Sequence, residues 1–157
     1  MIILNKKINV KKLIILSFFL TSIHQQAQIF KRTSINAAYR YTGRNVIQGG
    51  LEYRLPKSFS NFIVGASVLY TSINDKAKFI PEFNFYASNL GLLGVSVNPY
   101  SIEPRFGFSF LNTIMINTGY AIPIHNEKYF KGITFGVQLN FPLTKNSEFY
   151  HNYSVIK

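Results

Sequence analysis

Six charged residues sit singly inside apolar runs: Arg40, Glu52, Arg54, Glu82, Glu103 and Arg105, each flanked on both sides by an uncharged side chain. A charge in such a setting is tolerated only if it is paired and hydrogen-bonded. Three acids and three bases allow mutual pairing. Such a network serves either as a filling, structural plug or as a gate or proton path. Hydrolysis of a glycosidic bond by paired carboxylates would need two of these acids on one site, and their spacing aligns none of them.

Other chemistries have less support. Cysteine is absent, so disulfides, thiolate nucleophiles and cysteine-based metal sites are excluded. Past the first 27 residues the only histidines are His125 and His151, neither in an apolar alternating run. Both read as solvated loop residues, since a nucleophile–base pair needs defined geometry. No Gly-rich phosphate loop, Walker motif or histidine metal motif occurs. The expectation is no catalytic residue, no cofactor and no metal.

The elements that carry the six charges are strands. "ITFGVQLNF", 133–141, alternates without a break: Ile133, Phe135, Val137, Leu139 and Phe141 on one face, Thr134, Gly136, Gln138 and Asn140 on the other. Period-two alternation marks a strand with unlike faces. Seven further windows alternate similarly, at 34–41, 46–55, 61–70, 78–86, 92–98, 102–110 and 114–122. Turn residues such as "TGRN" and "SINDKA" separate them. Pro81 and Pro104 fall inside windows, which implies an edge, a bulge or the end of a register. Short connections and near-regular spacing predict an all-β chain, an antiparallel up-and-down barrel of about eight strands.

The two faces differ sharply. One gathers Tyr39, Leu51, Phe62, Phe83, Phe106, Phe108, Phe135 and many aliphatics without a charge. So many rings would overfill an eight-stranded barrel, whose interior is just wide enough for its own side chains. The other face holds Gly, Ser, Asn, Gln and Thr with the six charges. The apolar face is therefore expected to look outward into lipid. Tyr41, Tyr70, Phe79, Phe110, Tyr120 and Phe141, near strand ends, would form aromatic girdles. Only 15% of residues are charged, against about 25% for soluble domains.

The N-terminus reads as a secretory signal: Lys6, Lys7, Lys11 and Lys12, then "LIILSFFL", then a polar stretch ending at Ala27. No later stretch reaches the ~18 consecutive apolar residues of a membrane helix. Expected domains are a signal peptide over 1–27, a barrel over 28–145 and a tail over 146–157. Loss of the four signal lysines from seventeen basic residues leaves thirteen against six acidic ones, an excess of +7. Scattered charge on an exported chain suits anionic head groups rather than nucleic acid.

These features together resemble the small outer-membrane barrels of Gram-negative bacteria, the OmpA/OmpX-like class, over about residues 33–141. "TFGVQLNF" is similar to the terminal assembly signal of that class, matched by Thr134, Gly136, Leu139 and Phe141. The resemblance implies outer-membrane location, contact with outer-membrane lipid and recognition by the barrel-assembly machinery. Here "PLTKNSEFYHNYSVIK" continues for 16 residues past the motif, which usually ends the chain. The expected role is structural or interaction-based. Two alternatives stand beside it: a secreted soluble lipocalin-like barrel with an apolar ligand, and a lipid-modifying outer-membrane enzyme using His125.

Overall fold

The computed structural model describes residues 28–56, 61–74 and 76–149. The proposed signal, Lys57, Asp75 and His151 lie outside the described residues. Eight strands follow one another in chain order: β1 (Thr33–Tyr41), β2 (Asn45–Arg54), β3 (Phe62–Ile73), β4 (Lys76–Ser88), β5 (Gly91–Asn98), β6 (Ser101–Phe110), β7 (Ile114–Pro123) and β8 (Gly132–Pro142). Each pairs antiparallel with the next, and β1 closes on β8 from Ser34↔Pro142 to Tyr41↔Phe135. The result is a closed up-and-down barrel in which every strand has a neighbour on both sides.

The connections divide between two rims. Residues 42–44, 74, 99–100 and 124–131 lie at the loop end. Residues 55–56, 61, 89–90 and 111–113 lie at the other, the tail end, with a short helix at 28–31 and the segment 143–149 after β8. The turn after β6 is tight, with the Thr113 amide donating to the Phe110 carbonyl at 2.8 Å. Leu111 and Asn112 both take positive φ there, 54° and 58°, as a two-residue type I′ hairpin turn requires.

Both prolines have a place. β4 pairs with β5 only from Phe83 to Ser88, so Pro81 sits on a stretch of β4 with no β5 partner. The β6–β7 ladder passes from Ile102↔Ile122 to Arg105↔Gly119, skipping Pro104, which has no N–H to give. Gly119 fits the same spot, since a Cβ on it would lie 2.4 Å from the Pro104 carbonyl oxygen.

Side chains sort by strand parity. Outward go Ile47, Phe83, Phe106, Phe108, Phe110, Ile133 and Phe135, all largely exposed, Phe108 at 76%. Inward go the polar and charged residues, in the middle of three layers. At the loop end an apolar layer joins Val46, Leu69, Ile73, Ile80 and Ala121 to Phe130 from the connection between β7 and β8. At the tail end Ile63, Tyr86, Leu92 and Met115 surround Phe149. Two phenylalanines from outside the strands thus stopper the two mouths.

Candidate functional site

Arg40, on β1, lies across the middle of the lumen and is 1% exposed. Its Nη1 contacts Glu82 Oε1 of β4 at 2.5 Å, and its Nη2 contacts Glu103 Oε2 of β6 at 2.5 Å. Arg105 closes the circle: Nη2 to Glu82 Oε1 at 2.9 Å and Nε to Glu103 Oε1 at 2.9 Å. Two guanidinium groups and two carboxylates alternate, so the charges cancel within the layer.

Neutral groups complete it. Arg40 Nη1 donates to Gln48 Oε1 at 3.0 Å, Thr134 Oγ1 donates to Glu103 Oε1 at 2.9 Å, and Asn98 Nδ2 reaches Glu82 Oε2 at 3.4 Å. All four oxygens of the two acids thereby hold a donor. Sequence spacing aligned no two acids, yet the barrel brings Glu82 and Glu103 together around the same arginines. Both acids are buried, and through the two arginines they tie β1, β4 and β6 together across the lumen.

Glu52 lies apart from this circle. Its Oε1 accepts from Gln138 Nε2 at 2.8 Å and Asn36 Nδ2 at 3.0 Å, and its Oε2 accepts from the Tyr86 hydroxyl. Neutral donors hold it, with no ion pair among the described residues. Arg54 is also separate, at the last residue of β2. Its Nη1 donates to the Glu148 and Phe149 carbonyls at 3.2 and 3.4 Å, and its Nη2 to Asn61 Oδ1 at 2.7 Å. The six charges expected in one network thus divide into a four-membered circle, a neutral-bonded carboxylate and a clamp on the tail. The clamp has helpers: Asn112 Nδ2 donates to the Phe149 carbonyl at 3.0 Å, and Arg32 pairs with Glu148 at 2.9 Å.

The assembly-signal-like residues split by parity. Thr134 and Gly136 face the lumen, while Leu139 and Phe141 face out at 41% and 52% exposure. His125 Nδ1 accepts the Glu127 amide at 3.1 Å, and its ring meets Tyr100 edge-on at 5.4 Å. Among the described residues no cluster of His, Cys, Asp and Glu is placed to hold a metal ion.

Sequence reasoning missed the stoppers. Phe130 and Phe149 lie in irregular segments, where no periodicity announces burial. It also missed the loop-end rim, where Tyr129 and Tyr100 meet at 4.7 Å and Lys78 Nζ stands 4.6 Å from the Tyr129 ring centre. Two connections and one strand end meet there, far apart in sequence. Comparison with known protein families, with curated proteins and with solved structures gives no match.

Proposed function

We propose that the chain is an outer-membrane β-barrel protein, exported through the secretory pathway, with a structural or interaction role in the cell envelope and no catalysis. One observation carries this reading: the outward face of all eight strands holds no charged residue, while the strand charges at mid-barrel turn inward. Exposed to water, that wall would be an apolar patch far beyond the few hundred Å² that soluble monomers show. Lipid is the solvent that suits it, and closed barrels are the β-structures that satisfy their backbone there.

Further features agree. Strands of 8–13 residues bracket the ~9–11 residues of a tilted transmembrane strand. Tyr41, Tyr70, Phe79 and Tyr120 ring the loop end outside, with Phe110 and Phe141 toward the tail end. This matches the aromatic girdles of such barrels. Basic residues gather beyond the rings at both ends: Arg44, Lys76, Lys128 and Lys131 at one, Lys31, Arg32 and Lys145 at the other. Anionic head groups are the natural neighbours of both sets. Surrounding lipid and the assembly machinery, through Thr134, Gly136, Leu139 and Phe141, are the partners of this reading.

Barrel topology by itself suits a soluble lipocalin-like protein equally well. That reading needs an apolar calyx, and the circle of Arg40, Glu82, Glu103 and Arg105 occupies its place. Fractionation of expressing cells, with the envelope run boiled and unboiled on a detergent gel, tests the proposal. An envelope band whose mobility changes on boiling is expected. A soluble periplasmic or secreted band overturns it.

A further inference from the structure

At the loop end β4 outruns one of its neighbours. It pairs with β3 as far as Ile73↔Lys76, but with β5 only from Phe83↔Val97 to Ser88↔Leu92. Over residues 76–82 the strand therefore has a ladder partner on one side alone. Among the described residues no other backbone hydrogen bond reaches this stretch.

Which groups the open side presents follows from the hairpin. Ile73 and Lys76 face each other across a two-residue connection, the pair that exchanges its backbone bonds in such a turn. Antiparallel strands then alternate. Lys78 and Ile80 turn their backbone groups to β3, and Ala77, Phe79 and Pro81 turn theirs away. Ala77 and Phe79 each offer an N–H and a C=O, Pro81 a C=O alone. The donor that proline lacks falls on the unpaired side, where it costs no ladder bond. The side chains of these three residues are exposed on the outward face, Phe79 at 71%. Between this edge and the turn at Pro99 and Tyr100 lies a depression of about 380 Å³.

Lysines and a proline are usual guards of a strand edge. Here Lys76, Lys78 and Pro81 shorten the edge without closing it, and the Lys78 ammonium is occupied in donating to the Tyr129 hydroxyl at 3.1 Å. The free backbone groups recur at every second residue, about 7 Å apart. Another extended backbone is the chemistry that answers donors and acceptors at that spacing.

We propose that residues 77–81 take up an extended peptide segment of another protein as an added antiparallel strand, end to end with β5. A peptide residue opposite Ala77 and one opposite Phe79 exchange both bonds, and a third gives its N–H to the Pro81 carbonyl. Their side chains join Ala77, Phe79 and Pro81 on the outward face, so the segment carries apolar residues at alternate positions. A second copy of this chain fits less well. Antiparallel pairing through the same edge sets loop end against loop end and gathers Lys76 and Lys78 of both copies, a like-charge contact. The edge is open whether lipid or water bathes the wall.

The test uses the full ¹⁵N-labelled chain folded in zwitterionic micelles, with a blocked pentapeptide of sequence Val-Thr-Phe-Thr-Val as the probe. Without peptide, the Ala77 and Phe79 amides are expected to exchange with water freely and the Lys78 and Ile80 amides slowly. The peptide slows exchange at Ala77 and Phe79. N-methylation of its first, third and fifth residues lowers affinity about tenfold or more, as loss of one or two hydrogen bonds does. Methylation of its second and fourth residues leaves affinity unchanged. Phe79→Pro, which removes a donor that β3 does not use, weakens binding as the first methylated peptide does, and Phe79→Leu retains it. Circular dichroism shows whether the proline variant folds, and the two methylated peptides decide the matter without it. Ala77 and Phe79 amides already protected in dilute protein overturn the proposal. So does peptide binding that is absent, or indifferent to which residues are methylated. Protection that grows with protein concentration alone makes a second copy the occupant and overturns the choice of another protein.

Discussion

Arg40 and Gly136 face each other across the seam where β1 closes on β8. A Cβ on Gly136 would lie 3.0 Å from Arg40 Cγ and 2.9 Å from Asn117 Oδ1. The missing side chain leaves the lane along which the Arg40 stem runs to Glu82 and Glu103. A position that resembles part of an assembly motif thus has a packing reason of its own.

Arg40→Gln leaves Glu82 and Glu103 short of a guanidinium in a closed lumen. Breaking one side of a buried ion cluster costs about 3–5 kcal/mol. A fall of that size in unfolding free energy is expected from urea titration. Adding Glu103→Gln should recover part of it, because an uncompensated carboxylate is then removed.

Glycines of the barrel wall differ in what surrounds them, inward Gly107 and outward Gly91 among them. A Cβ on Gly107 would come 2.1 Å from the Ile116 carbonyl oxygen, whereas at Gly91 the nearest atom is 3.9 Å away. Gly107→Ala must push β6 from β7 and is expected to cost about 1–3 kcal/mol. Gly91→Ala should change the thermal midpoint little. Similar midpoints for the two would contradict this packing account.

Leu111 holds φ at 54° in the turn after β6. A side chain there costs about 1–2 kcal/mol that glycine avoids. Leu111→Gly should raise the urea midpoint or leave it level, against glycine's usual loosening of the unfolded chain.

Phe149 is wholly buried among Ile63, Tyr86, Leu92 and Met115. Phe149→Ala should lower stability by about 3–5 kcal/mol. Arg54→Ala, which removes a donor to the Glu148 and Phe149 carbonyls, should weaken the same contact. A double variant less destabilised than the sum of the two would show that clamp and stopper act together.

Outward Val137 and inward Gln138 are neighbours on β8 with opposite surroundings, 46% and 4% exposed. If lipid bathes the wall, Val137→Arg costs about 2–4 kcal/mol near the midplane. The expected readout is loss of the heat-dependent gel shift. Val137→Thr should retain it.

Alternation was enough to place every strand within a few residues, because a half-buried strand repeats at period two and each window kept that period. It also put Arg40, Glu82, Glu103 and Arg105 on one face. It did not show that Arg54, on the same face as Glu52, lies too near the rim to join the circle. Height along the axis depends on strand tilt and stagger, which a single strand's sequence does not encode. Phe130 and Phe149 were invisible for another reason: each is buried by tertiary placement of an irregular segment. The apolar residues Leu69, Ile80 and Met115 turn inward to meet them, small breaks in the polar face that mark where a stopper sits.

The ion pairs of Arg40 join β1 to β4 and to β6, strands that are never neighbours in the sheet. An open sheet of the same strands, however well paired edge to edge, cannot make them. The charged layer therefore works as a strand counter. Only a ring of the right circumference brings the guanidinium opposite both acids, and a miscounted or unsealed ring would strand like charges in its own interior.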